Sequence, residues 1–427
     1  MPRTWLFALG LDLFSQLSGA GSAGSRPVGN STSDDDASNE KEKEEEQRGN
    51  GTENTKSGYI DPPRMIAVGQ DLLRILWAGW NDTLLQIDDI FELRGFSAGS
   101  RGSVQLLCPP GISIVSGFGW TELQGVVCSD GEIYSIAPPP TDAEYSYLTI
   151  APEFDISDAF SQSVQHVSVA GNGLVSVLHA DRTSVTVFDS YASFKNHTPS
   201  KPTHKTRKEF KPHHRRTFIS VRSAESHFVA LDSNGCVWSW GAPNLHGELL
   251  RPTPANRGAD HAQLQSLTPR IVPALEGIQM IQIAANGWVT ACLSGDTRDV
   301  YIWGWMAGGA RVVGMPATSG GELAGIIDQF DEEENMTVDC IGVANGAVAT
   351  TIEDAQTGIT SLYVARPPVE GSLVNDRENR DEDADGARFE KVRGPWDALL
   401  EAVDEVYRRP YVYCSPAATF VIIARDY

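Results

Sequence analysis

The residues of this chain that could do chemistry are mostly charged and gathered in runs. The densest run is basic: Lys201, Lys205, Arg207, Lys208, Lys211, Arg215 and Arg216, with His204, His213 and His214 among them and Glu209 opposing. Such a run can contact phosphates or serve as a nuclear-import signal. The competing reading is an exposed flexible loop. Direct nucleic-acid binding is disfavoured, because the chain as a whole carries a net charge of −22 and would be repelled by a phosphate backbone. The three histidines invite a metal, but no Cys/His spacing supports zinc, and histidines among lysines and arginines read as solvated. No metal and no cofactor is expected. The acidic runs, Asp34 to Glu46, Asp331 to Glu334 and Asp376 to Asp385, are either solvated loops or long-range attractors for a basic partner such as a histone tail.

The groups that catalysis needs do not occur in working arrangements. There is no G-x-S-x-G elbow, P-loop, H-E-x-x-H or dinucleotide fingerprint. Gly117-Phe118-Gly119 and Gly171-Asn172-Gly173 lack the third glycine and sit in β settings. Asp296 and Asp299 read as turn residues. The six cysteines, Cys108, Cys128, Cys236, Cys292, Cys340 and Cys414, are scattered, and those inside predicted strands behave as small apolar residues of a reduced, intracellular protein. The chain is read as non-enzymatic, and no catalytic or binding residue can be assigned.

What must position any surface is a hairpin written several times over. Phe228 to Leu231, the turn Asp232-Ser233-Asn234-Gly235, and Cys236 to Gly241 read as two strands around a tight turn, with Asn-Gly supplying positive φ angles. Further copies run from Ile75 to Phe96, Ile114 to Ile136, Val167 to Phe188 and Ile281 to Trp305, with weaker ones at Ile341 to Arg366 and Tyr411 to Arg425. They recur about 40 to 70 residues apart, the range of a propeller blade with loop insertions. The expectation is an all-β, seven-bladed β-propeller. Its last blade lacks an outer strand, and Trp5 to Gly10 is expected to supply it, closing the ring.

Trp238-Ser239-Trp240-Gly241-Ala242-Pro243-Asn244-Leu245-His246-Gly247-Glu248-Leu249 resembles the signature of the regulator of chromosome condensation repeat family, roughly W-G-x-N-x-x-G-Q-L-G. Leu6 to Gly19 is a looser second match, and Ser223 to Leu231 resembles the family's strand that carries a histidine, here His227. Elsewhere Trp80, Trp120 and Trp288 stand near that position, and Gly304 is followed by Trp305-Met306-Ala307, so the chain reads as a divergent, single-propeller member. The resemblance implies protein-interaction adaptors for chromatin enzymes or for tRNA- and translation-factor-modifying machinery. It also implies the alternative of guanine-nucleotide exchange on a small GTPase, which needs no covalent chemistry.

Residues 1–427 are expected to form one propeller domain, with a disordered acidic insertion at 22–60, a basic loop insertion at 192–217 and an acidic loop insertion at 370–392. No apolar run reaches the roughly 18 residues of a membrane helix, so no membrane association is expected. A monomer with protein partners, in the nucleus or cytoplasm, is the reading. A secreted, glycosylated propeller is the second alternative: Arg3, the apolar Trp5 to Leu9 and the small residues Gly19 to Gly24 imitate a signal peptide, and sequons stand at Asn30, Asn50, Asn81, Asn196 and Asn335. Against it, Asp12 interrupts the apolar stretch, and cleavage would delete the closing strand.

Overall fold

The computed structural model describes residues 4–11, 59–136, 147–151, 163–196, 207–210, 216–242, 249, 267–297, 299–305, 336–344, 347–354, 356–357, 359–365, 389–393, 411–415 and 418–424. Strands β1 (Thr4–Leu11) and β2 (Tyr59–Gly69) pair antiparallel. The first complete unit is β3 (Leu73–Ala78), β4 (Asp82–Ile87), β5 (Ile90–Gly95) and β6 (Ser103–Leu107). The next is β7 (Ile114–Gly119), β8 (Leu123–Cys128), β9 (Ile133–Ile136) and β10 (Tyr147–Ala151). Parallel pairing of β6 with β10 merges these two units into one eight-stranded sheet.

Then follow β11 (Val164–Val169), β12 (Val175–His179), β13 (Val185–Phe188), the short helix α1 (Tyr191–Lys195) and β14 (Arg207–Phe210). The fourth complete unit is β15 (Phe218–Ser223), β16 (His227–Asp232), β17 (Val237–Gly241) and β18 (Arg270–Ile271). β19 (Met280–Asn286), β20 (Trp288–Ser294) and β21 (Val300–Trp305) form a three-stranded sheet. β22 (Met336–Ala344), β23 (Ala347–Asp354), β24 (Ile359–Ala365) and β25 (Phe389–Val392) precede the final pair, β26 (Tyr411–Cys414) and β27 (Ala418–Ala424). That pair joins the first two strands in the order β2-β1-β27-β26. The protein is a β-propeller.

The two ends of the chain meet as expected: Leu6 lies opposite Ile422, Phe7 opposite Val421 and Ala8 opposite Phe420. The N-terminal contribution is larger than one strand. β2 adds an outermost strand, and its first residues, Tyr59 and Ile60, pair with Leu11 and Gly10, so the last two residues of the expected 22–60 insertion belong to a strand.

Why repeats of this pattern make a ring is visible in the cores. The middle strands of the units are too apolar for one wet face, and successive units bury both faces against their neighbours. Trp238 and Trp240 of β17 pack with Val185 and Val187 of the preceding unit, whereas Val237, just before them, packs with Ile283 and Trp303 of the following one. The same sharing continues around the disc, and it closes where Leu6 and Phe420 meet Leu73 and Leu85. The innermost strands carry a second repeated feature. A one-residue register shift recurs near the start of β7, β11, β15, β19 and β22, as between Phe218 and Ser220 or Met280 and Gln282. Bulges of this kind raise local twist, which suits a strand splayed about a central axis.

The turn chemistry differs from the expected Asn-Gly hairpin. Gly235 has φ +78°, but Asn234 is absent from the positive-φ residues. The Gly235 N–H donates to Asp232 O at 2.9 Å, and the Asp232 N–H donates to Cys236 O at 3.0 Å, the pattern of a right-handed turn followed by one left-handed residue. The Asp232 carboxylate holds it, accepting from the N–H groups of Asn234 and Cys236 at 2.9 Å each. The loop is therefore one residue longer than a two-residue hairpin, and aspartate, not asparagine, does the holding.

Two of the expected insertions also contain structure. Inside 192–217, β14 pairs with β13, Arg207 opposite Phe188 and Phe210 opposite Val185, and the Phe210 ring lies 5.5 Å from that of Trp238. Inside 370–392, β25 pairs with β24 from Phe389 opposite Ala365 to Val392 opposite Leu362. Both are outer strands, short and edge-exposed, so charged neighbours are tolerated beside them. The acidic runs 34–46, 331–334 and 376–385 lie outside the described residues.

Candidate partner-binding face and central channel

The residues that carried the sequence signature are structural. Gly241 closes β17 with φ +154°, and a Cβ there would stand 2.5 Å from Ser226 O and from His227 Cα. Gly95 and Gly304 occupy the same place at the ends of β5 and β21. A glycine at this place, after Trp240, Trp303 or Arg94, lets the third strand of a unit touch the loop that begins the second. His227, opposite Gly241, is fully buried, and its Nε2 lies 2.8 Å from Thr290 Oγ1 of the next unit. In the β3–β6 unit the residue opposite the corresponding glycine is Asp82. Its carboxylate accepts from Ser97 N–H at 2.9 Å, Ser97 Oγ–H at 2.6 Å and, across to the next unit, Leu123 N–H at 3.1 Å. One repeat position therefore ties neighbours together with either a histidine or a carboxylate. Trp80 stands two residues before Asp82, and Trp288 one residue before Val289, which lies opposite Gly304.

Burial dominates the electrostatics of these ties. Desolvation raises the Asp82 carboxyl above its ordinary range in spite of its hydrogen bonds. It pushes the His227 imidazole down to about 3. The neutral form is thus favoured in the folded state relative to an unfolded histidine near 6.5. Stability tied to His227 is fully present above pH 6.5 and is lost as pH falls toward 3. The loss is about 1.4 kcal/mol per pH unit, hence about 2 kcal/mol between pH 6.5 and 5. In urea melts at pH 7.5 and 5, His227→Gln should shrink the acid-induced loss by about that amount; identical pH slopes for variant and parent would exclude this origin.

One face of the disc is built by the loops after the inner strands, and these loops are bonded unit to unit. The Asn81 N–H donates to Thr121 O at 2.8 Å, Asn172 N–H to Glu225 O at 2.8 Å and Glu225 N–H to Gly287 O at 2.6 Å. Trp80, Trp120 and Trp288 sit half-buried on this rim, with Thr121 and Asn172 exposed beside them. The Glu225 carboxyl is held above its ordinary range by burial.

The inner strands surround a central channel of about 630 Å³. Its lining includes Arg74, Arg182 and Arg222, His166, Tyr411 and Tyr413. Arg222 is half-buried on β15. Burial, reinforced by Arg222, pushes the His166 imidazole down to about 4. Gln282 is spoken for: its amide exchanges hydrogen bonds with Ile341 N–H at 3.1 Å and Ile341 O at 3.0 Å, pinning β19 to β22.

The basic stretch places Arg207 and Lys208 on β14 and ties Arg216 to the buried Asp232 at 3.3 Å; its remaining bases and histidines lie outside the described residues, as does the signature segment 243–248. The cysteines form no disulfide, and burial pushes the Cys128 and Cys414 thiols up to about 12. Reading the sequence missed Asp82 and Arg222. The first was hidden because it replaces a histidine, whereas the second was findable as a charge in a strand position otherwise filled by apolar or small residues.

No family profile matches the chain. Among curated proteins it is similar to RCC1 domain-containing protein 1 of Mus musculus, 41% identical over 107 residues, 24% of this chain and 25% of that protein. The Homo sapiens protein of that name is 34% identical over 128 residues, 30% of this chain and 31% of the relative. The matches thus span about a quarter to a third of those relatives' length. Two solved structures match along the whole chain: human WBSCR16, at 15% identity and TM-score 0.55 over 100% of both chains, and Prp20p from Saccharomyces cerevisiae, at 13% identity and TM-score 0.57 over 100% of this chain and 92% of the other. Sequence similarity over a part of the chain, and a fold shared with these structures along its whole length, make this chain similar to RCC1-type propellers.

Proposed function

We propose that the protein is a non-catalytic adaptor that presents the loop rim of its disc to a protein partner in the nucleus or cytoplasm. The observation that supports this most is the rim itself: half-buried Trp80, Trp120 and Trp288 on a backbone fixed by inter-unit hydrogen bonds. Pre-ordered aromatic groups are what protein interfaces favour, because little conformational entropy remains to be lost on binding. A net charge of −22 favours a basic partner, such as a histone or a protein of tRNA- or translation-factor-modifying machinery. The similar Prp20p is described with binding to Gsp1p and histones, and yeast RCC1 in complex with Kap60.

That description keeps a second reading, nucleotide exchange on a small GTPase. Mixing the protein with GTPases carrying a fluorescent nucleotide separates the two. The adaptor reading expects stoichiometric complexes without nucleotide release, weakened when Trp80 and Trp120 are replaced by serine. Accelerated release at catalytic amounts of the protein would overturn it.

A further inference from the structure

We propose that the central channel is a binding site for a small organic anion, a carboxylate or phosphate monoester, whose acidic group is held by Arg222. This stands independently of the identity of any protein partner. The chain has 56 acidic side chains against 34 lysines and arginines, yet among the described residues the channel lining contains three arginines and no carboxylate. Positive potential is thus concentrated at the axis of an acidic protein, where low-dielectric walls strengthen it.

Arg222 is the charged member of its layer. The corresponding inner-strand places in the other units hold Trp77, Phe118, Ser168, Ala284, Gly342 and Tyr413. The volume of about 630 Å³ lies within the range of small-molecule sites, roughly 300–1,000 Å³. Among the described residues, the one hydrogen bond from the Arg222 guanidinium goes from Nη1 to the adjacent Val221 O, at 3.4 Å. A half-buried cation with most of its planar donor fork unengaged suits bidentate capture of a carboxylate or phosphate. His166 and Tyr413, both within the electrostatic reach of Arg222, offer further polar contacts from other units.

The test titrates benzoate and phenyl phosphate separately into the full chain at fixed ionic strength, reading tryptophan fluorescence and the melting temperature. One saturable site is expected, with whichever probe binds more tightly naming the acidic group. Arg222→Gln should weaken it at least about tenfold, while Lys208→Gln with Lys211→Gln should leave it unchanged. No saturation with either probe, or equal affinity in Arg222→Gln, would overturn the proposal, as would loss caused by the lysine pair. If the glutamine variant does not fold, arginine-selective ¹⁵N spectra of the unmodified protein decide: the Arg222 resonance, assigned with Arg222→Lys, must move on saturation, and a static resonance refutes the site.

Discussion

Removing residues 1–11 should abolish the cooperative melt of the whole disc rather than lower it. Strand β1 is bonded along both edges, to β2 on one side and to β27 on the other, from Thr4 opposite Ala424 to Gly10 opposite Ala418. Its side chains divide between two cores. Leu6 and Ala8, both fully buried, pack with Leu73 and Leu85 of the following unit, and Phe7 packs with Ala349 and Leu362 of the preceding one. Loss of the strand therefore opens both interfaces of one unit together. In a ring whose units are stabilised mainly by their neighbours, the damage propagates. Phe7→Ala alone should cost about 3 to 5 kcal/mol, a large share of the roughly 5 to 15 kcal/mol that holds an ordinary domain. Circular dichroism melts measure both; a truncated chain that still melts in one sharp transition near the parent's temperature would mean that β1 does not close the ring.

Ring closure was legible in the sequence because it follows from counting. A terminal copy short of a strand and an orphan apolar strand at the other end can satisfy each other, and an open ring would expose two edges. The hairpin copies were legible for a related reason: period-2 apolar runs broken by Asp-Gly or Asn-Gly have few other solutions. Outer strands were not. β14 is Arg207-Lys208-Glu209-Phe210 and β25 is Phe389-Glu390-Lys391-Val392, so their composition is that of a solvated loop. Pairing with β13 and β24, not side-chain pattern, makes them strands, and that tertiary information is not local.

The site was less legible than the fold. Tryptophans near the family histidine pointed to the rim, but the sequence offered no way to see that the rim is bonded from unit to unit, because those bonds join backbone atoms of residues as far apart as Glu225 and Gly287. Arg222 escaped for a different reason. In Phe218-Ile219-Ser220-Val221-Arg222-Ser223 it alternates properly with Val221 and reads as an outward-facing charge. In a propeller both faces of an innermost strand meet neighbouring units and its free edge meets the axis, so alternation alone could not place Arg222 in the channel lining.

The second large effect is expected at Trp240, and its size should depend on what replaces it. The side chain is fully buried and stacks on Phe228, with ring centroids 5.6 Å apart at 21°. Trp240→Ala empties that volume between two units and should cost about 3 to 5 kcal/mol. The indole N–H of Trp240 has no hydrogen-bond partner among the described residues, so Trp240→Phe removes a buried, unsatisfied donor along with some bulk and should be far milder. Trp238, two residues earlier, is the control. Its N–H donates to the buried carboxylate of Asp232 at 2.9 Å, so Trp238→Phe deprives that carboxylate of a partner and should cost about 1 to 3 kcal/mol more than Trp240→Phe. Urea melts of the three variants test the ordering. If Trp240→Phe proves as damaging as Trp240→Ala, or more damaging than Trp238→Phe, then the contact between units at this strand is not governed by volume, and the account of how neighbouring units hold the ring fails with it.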